Sequence, residues 1–317
     1  MEYILIDLAK RPRHSLVLVS LGLILLGQAS CSTLEKSSHG DRPRDETREE
    51  SVKPDASEAK IQEIYLKGGP TGILIIHGYK ASSLTFSHIA HALNQRGYTV
   101  YCVLLPGHGT TVEALDDVTK EDYYEYVERK HEEFSEKVDT VFVFGQSLGS
   151  LLTINLAKDR KLDGIILMSA PILILSQNID KKDIYRMTQM IGEFARFPRL
   201  NPTYLVRTGF FEKHGMYSEF SARGIDALCE VLQDARSNLG KVNAPALVLQ
   251  GSHDPLVEPA TAEFIMAKIR SQKKKAVTID SFGHSFFLGE KMPLVVNEIC
   301  DFIDSVTKSQ PGNTGDD

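Results

Sequence analysis

The stretch that most constrains this chain is residues 140–157. Residues 141–144 are β-branched or aromatic and too few for a helix, so they read as a short buried strand. Gly145-Gln146-Ser147-Leu148-Gly149 follows. Leu151, Leu152, Ile154, Leu156 and Ala157 then continue with helical character as far as Lys158 and Arg160. A strand that passes into a helix through Gly-x-Ser-x-Gly has the form of a nucleophile elbow. The serine sits on a strained turn at the closest approach of strand and helix, where bulky neighbours would clash. The turn delivers Ser147 to a helix start, whose free N–H groups and positive dipole end favour a developing oxyanion. Five residues alone are weak evidence. Without partners, the same stretch reads as a Gly-rich turn with an N-cap serine.

The rest of the chain supplies a repeating frame. Residues 61–66 read as an edge strand. Residues 72–76 are a continuous apolar run, as in a strand buried on both faces of a parallel sheet. His77-Gly78-Tyr79 follows it. Helical spacing over 82–96 closes at Gly97, and a second buried strand over 98–104 leads into Leu105-Pro106-Gly107-His108-Gly109. An amphipathic helix covers 123–136, and residues 164–168 form a strand ended by Ser169-Ala170-Pro171. Later come a helix over 225–239, a strand over 246–250, a helix over 260–269, a strand over 276–279 and a last helix over 294–306. Strand and helix alternating in this way predict an α/β fold, a mostly parallel sheet with helices on both faces. Ligands then bind at the carboxyl ends of the strands. The rhythm breaks over residues 172–223, a segment too long for a loop and too apolar for disorder. It reads as a helical cap over the sheet. Its aromatic and Met residues suit either an acyl pocket or the cap's own core.

The 317 residues are 42% hydrophobic and carry a formal net charge of −6. That fits a catalytic domain over residues 59–307 and argues against nucleic acid as a partner, which would call for a basic stripe. Residues 1–30 read as a signal peptide. Lys10, Arg11 and Arg13 precede an apolar run over 15–27, and small Ala29 and Ser30 precede Cys31. The end of this segment resembles a bacterial lipoprotein signal, which implies lipid on Cys31. Gln28 stands where such signals usually have Leu, and ordinary cleavage or an uncleaved anchor are the alternatives. Residues 31–58 read as a disordered tether and 308–317 as a polar tail. The expected location is the bacterial cell envelope, anchored to a membrane and facing the periplasm or exterior. Cys102 lies in an apolar strand and Cys300 in an apolar helical stretch, and both read as buried thiols; Cys229 is also in a helical stretch. The cysteine spacings indicate neither a metal site nor a disulfide framework.

A serine needs a base to take its proton, and the base needs a carboxylate to orient it. In this architecture the chain order is Ser, then Asp or Glu, then His. Gly251-Ser252-His253-Asp254-Pro255 follows one strand, and Phe282-Gly283-His284-Ser285 follows another. The reading is Ser147 as nucleophile, His284 as base and Asp254 as its orienting carboxylate. Asp280 and Glu258 are rival carboxylates. His77, His108 and His253 read as structural or loop-shaping. The two oxyanion donors are expected to be the backbone N–H groups of Leu148 and Tyr79. The Tyr79 side chain either lines a pocket or packs.

Taken together, Ile75-Ile76-His77-Gly78, Leu105-Pro106-Gly107-His108-Gly109, Gly145-Gln146-Ser147-Leu148-Gly149, Gly251-Ser252-His253-Asp254 and Phe282-Gly283-His284 resemble the α/β-hydrolase superfamily. The closer similarity is to its bacterial carboxylesterase and monoacylglycerol lipase branch. The resemblance implies hydrolysis of small or lipid-like esters through an acyl-serine intermediate, with no cofactor and no metal. The branch also holds lysophospholipases and peptidases. A surface lipoprotein that binds without catalysis is the alternative from another class. Oligomeric state is not legible.

Overall fold

The structure, a computed structural model, describes residues 61–174, 214–217, 221 and 223–308. The signal-like segment, Cys31, the tether, most of the expected cap and the tail beyond 308 lie outside the described residues.

Thirteen regular elements lie among the described residues. They run β1 (Ile64–Leu66), β2 (Thr71–Ile76), α1 (Ser87–Gln95), β3 (Thr99–Cys102), α2 (Lys120–Ser135), β4 (Thr140–Gln146), α3 (Leu148–Ala157) and β5 (Gly164–Met168). After residue 223 come α4 (Gly224–Asn238), β6 (Ala246–Gly251), α5 (Thr261–Lys268), β7 (Lys274–Ile279) and α6 (Met292–Thr307). The strands form one sheet in the order β1-β3-β2-β4-β5-β6-β7. Only β1 runs antiparallel; every other pairing is parallel.

Side chains alternate across the strands and so build two cores. Leu74, Ile76, Val141, Val143, Ile165, Leu167, Ala246 and Val248 face one side, where α2, α3, α4 and α5 pack. Ile73, Ile75, Phe142, Phe144, Ile166, Met168, Leu247 and Leu249 face the other, against α1 and α6. Burial on both faces explains the unbroken apolar runs of β2, β4 and β5. Helix α3 is buried along its whole length, so its sequence carries no polar stripe.

Several ends differ from the sequence expectation for local reasons. Helix α2 starts at Lys120 rather than 123 because Thr119 and Asp122 form a reciprocal capping box, which apolar spacing does not register. Helix α6 opens two residues early, with Pro293 in its first turn. Strand β7 gains Lys274 and Lys275, exposed lysines on an outer strand that guard the sheet edge. Around Phe86 a short 3₁₀ turn, Leu84–Phe86, replaces the first turn of the expected helix.

Parallel register sets the strand ends at a common level. Ile76 pairs with Gly145, Gln146 with Met168, and Gly251 with Ile279. The residues that follow these ends therefore emerge along one edge of the sheet. The height of α3 above that edge depends on two glycines. A Cβ on Gly149 would stand 1.9 Å from the Ile76 carbonyl oxygen, and one on Gly145 would stand 2.2 Å from the Gly149 oxygen. Both neighbours are backbone and cannot step aside. Gly149→Ala should therefore cost about 1–3 kcal/mol or more, the usual range for overpacking a core. Urea unfolding should show a lower midpoint at an unchanged slope. A midpoint equal to wild type would contradict the close approach.

Candidate active site

Ser147 occupies the turn between β4 and α3 at φ 54°, ψ −116°, a backbone region that side-chain-bearing residues seldom adopt. Such strain costs on the order of 1–3 kcal/mol and must be held by its surroundings. Here the holders are visible. The Ser147 N–H donates to the Met168 carbonyl at 3.0 Å, and the Ser147 carbonyl accepts from the N–H groups of Ser150 and Leu151. The Ser150 hydroxyl lies 2.8 Å from the Gly145 carbonyl and 3.0 Å from that of Met168, tying the helix to both strands. From 141 to 157 every residue is buried except Ser147, so the turn presents one side chain and hides the rest. Leu148 and Gly149 precede the first intrahelical donor, as the opening of a helix requires.

The loop after β2 runs beside this turn. A Cβ on Gly78 would approach the Gln146 amide oxygen to 2.5 Å and the Ser147 Cβ to 3.3 Å, so a larger residue there would require the Gln146 side chain to shift. Tyr79 is buried, and its hydroxyl donates to the Ser221 carbonyl at 3.2 Å. Burial pushes its phenol pKa up to about 12.

Asp254 and His284 come from the loops after β6 and β7. His284 Nδ1 lies 2.8 Å from Asp254 Oδ2. The other carboxylate oxygen accepts from the N–H groups of Leu256 at 2.8 Å and Val257 at 3.1 Å. The Asp254 side chain is fully buried, and that of His284 is 18% exposed. Burial by itself would raise the Asp254 pKa. The neighbouring imidazole and the three hydrogen bonds outweigh it and hold the group below the usual carboxylate value. An ionised carboxylate only accepts, so the Nδ1 position carries the proton and the Nε2 lone pair is left for another partner.

Asp280 does not serve this imidazole. Its side chain is 83% exposed and lies near Ser252 and His253, with His253 Nδ1 at 3.9 Å. Glu258 donates its backbone N–H to the Leu173 carbonyl at 2.9 Å, and the imidazole of His284 pairs with Asp254 instead. Among the described residues no hydrogen bond joins the Ser147 hydroxyl to His284. Such contacts commonly close only when substrate is bound.

One residue escaped the sequence reading. Ser169, buried just beyond β5, also holds a positive φ, 48°. Its N–H donates to the Leu249 carbonyl, and its hydroxyl donates to the His284 carbonyl at 2.9 Å. It thus moors the His284 loop to the strand beside Ser147. Its sequence context, Ser-Ala-Pro after a strand, marks only a strand end.

Known proteins extend this picture. A family model described as "Hydrolase_4: Serine aminopeptidase, S33" matches residues 71–291. A carboxylesterase of Bacillus subtilis (strain 168) is 24% identical over 241 residues, 76% of this chain and 95% of that protein. A thermostable monoacylglycerol lipase of Bacillus sp. (strain H-257) is 25% identical over 242 residues, 75% of this chain and 92% of that one. The solved structure of a metagenome-derived lipolytic enzyme superposes with a TM-score of 0.65 at 22% identity, covering 78% of this chain and 98% of its own. The parallel sheet, the strained serine turn after its central strand and the match across residues 71–291 lead to one conclusion: the chain belongs to the Hydrolase_4 family and has the α/β-hydrolase fold.

Proposed function

We propose that this protein hydrolyses carboxylic esters through an acyl-enzyme formed on Ser147. The observation that carries the reading is the 2.8 Å Asp254–His284 contact at the sheet edge where Ser147 emerges. The names of the two curated relatives, one a carboxylesterase and one a monoacylglycerol lipase, support esters as the substrate class. In the proposed cycle His284 Nε2 takes the Ser147 proton as Oγ attacks the ester carbonyl. The carbonyl π-electrons move onto oxygen, and the N–H groups of Leu148 and Tyr79 receive that oxyanion. Collapse breaks the bond to the alcohol, which leaves with the proton from His284. Water, deprotonated by the same nitrogen, then releases the acid. Asp254 remains ionised throughout and steadies the imidazolium.

The family's description favours a second reading, cleavage of an N-terminal peptide bond. The same residues would serve an amide. A panel of p-nitrophenyl esters of rising chain length, monoacylglycerol, lysophospholipid and an aminoacyl p-nitroanilide separates the substrates. Hydrolysis of the esters with no turnover of the anilide is the expected result.

We also infer that Cys31 carries lipid and holds the domain at a membrane through residues 31–58, a reading supported by the sequence alone. Several acyl chains on one cysteine would anchor stably where one would not. Mass spectrometry of the mature N-terminus should find an acylated Cys31. An unmodified terminus elsewhere would remove the anchor without touching the chemistry.

Ser147→Ala should lower kcat on the order of 10⁶-fold with the fold intact, as loss of a triad serine does. A fluorophosphonate should label wild type at Ser147 and leave the variant unlabelled. Residual turnover near wild type in pure Ser147→Ala would refute the nucleophile. Asp254→Asn should cost about 10⁴-fold in kcat, because the imidazole is then held in the wrong tautomer. Asp280→Asn should be close to neutral. Kinetics of both variants on one ester decide the carboxylate, and a reversed order would transfer its role to Asp280.

A further inference from the structure

Two buried histidines outside the Asp254–His284 pair converge on the loop after β2. His77 directly follows that strand and His108 belongs to the loop after β3. Both are buried, and their rings meet edge to face with centroids 4.8 Å apart.

His77 Nε2 accepts the Leu105 N–H at 3.0 Å. That contact leaves Nδ1 as the protonated nitrogen, and Nδ1 lies 2.9 Å from the Gly78 carbonyl oxygen. The same oxygen accepts the Ala81 N–H at 3.1 Å. His108 holds the next carbonyl along. Its Nε2 lies 2.7 Å from the Tyr79 oxygen, while Nδ1 lies 2.9 Å from that of Pro106. Burial pushes both rings toward the neutral form, His77 the more strongly with His108 beside it. A neutral ring has one N–H, and the clamp takes His108 with its proton on Nε2, donating across the shorter of its two contacts, to the Tyr79 oxygen. The loop carrying His108 is itself fixed. Gly107 and Gly109 flank it at φ 75° and 76°, and the Tyr217 hydroxyl donates to the Gly107 carbonyl at 2.9 Å.

The two carbonyls so held lie on either side of a single N–H, that of Tyr79. In a trans peptide the N–H and C=O of one plane point in opposite directions. Gripping the Gly78 oxygen from two donors therefore aims the Tyr79 N–H to the other side, and gripping the Tyr79 oxygen stops the following peptide from turning. Donation into a peptide carbonyl also polarises the N–H of the same plane. We propose that His77 and His108 act together as positioning residues that clamp the Gly78–Tyr79 peptide for oxyanion stabilisation during ester hydrolysis. This inference rests on the ester-hydrolase reading above. Neither ring touches the reacting atoms; each acts through the backbone.

The two histidines grip with different nitrogens, so their amide replacements should show a crossed pattern. Asn places its amide N–H near the Nδ1 position and Gln near the Nε2 position. His77→Asn keeps the donor to Gly78, and His77→Gln does not. His108→Gln keeps the donor to Tyr79, and His108→Asn does not. The experiment measures kcat and KM for p-nitrophenyl butyrate and the inhibition constant of an octyl trifluoromethyl ketone, with circular dichroism to verify folding. The ketone adds to the Ser147 oxygen to give a hemiketal oxyanion, so its affinity reports oxyanion stabilisation directly. His77→Gln and His108→Asn should each lose about 10–10² in kcat, short of the 10²–10³ that deleting a whole oxyanion donor costs. Ketone affinity should fall in step while KM stays near wild type. His77→Asn and His108→Gln should retain most of both. If one position yields unfolded variants, the pair at the other decides. An active wild type whose folded Asn and Gln variants have equal kcat and ketone affinity at each position would overturn the clamp alone. A wild type that neither turns over the ester nor binds the ketone would overturn the ester-hydrolase reading and the clamp with it.

Discussion

Helix α3 rests on backbone. With no side chain on Gly149, its first turn settles directly over the Ile76 carbonyl, and Gly145 lets the preceding strand end pass beneath the Gly149 carbonyl. This contact sets the height at which the helix leaves the sheet. A methyl group at either position would lift the helix and move Ser147 with it. The other features of the edge depend on that height. Gly78 can lie against Ser147 only if the turn stays low, and the Ser147 N–H reaches the Met168 carbonyl only from there.

A turn this tight holds its serine in a conformation that costs energy, and the surrounding bonds show how the cost is met. Ser150 bridges β4 and β5, and the Ser147 carbonyl takes two helix donors. Ser169 repeats the device one strand over, with its own positive φ and with bonds to Leu249 and to the His284 loop. Two adjacent strand ends thus each carry a strained, buried-backbone serine. One is directed outward, while the other is turned to fix a neighbouring loop. Strain of this kind is stable only in a rigid frame, which the two cores on either face of the sheet provide.

The sequence made most of the frame legible because burial on both faces of a parallel sheet writes itself as short apolar runs. Residues 164–168 match β5 end to end, and the other strands and helices differ by a few residues. What escaped the reading was set by single hydrogen bonds. The Thr119–Asp122 box moved the start of α2, and Ser169 acquired its role from a carbonyl 115 residues away in the chain. His77 and His108 read as loop-shaping, and their bonds to loop backbone agree with that, but which carbonyls they reach has no spelling in the sequence. Asp254 could be preferred to Asp280 on loop position, yet only the fold shows one carboxylate buried against His284 and the other in solvent.

The chain has ten histidines, and their surroundings support assigning the proposed proton transfer to one of them. A base must accept a proton and carry the resulting charge for part of each cycle. His284 has a buried carboxylate on Nδ1, itself held ionised by two backbone donors, so an imidazolium there is electrically matched. His77 follows β2, the strand paired with β4, but its partners are of a different kind. A backbone N–H occupies Nε2, and a second imidazole faces the ring. A proton arriving there would displace a hydrogen bond and place a charge in a buried site. His108 has carbonyls on both nitrogens, which welcome donors but bring no full negative charge. Among the three, the chemistry of the partner separates the proposed roles: a carboxylate suits a base, and backbone dipoles suit a brace.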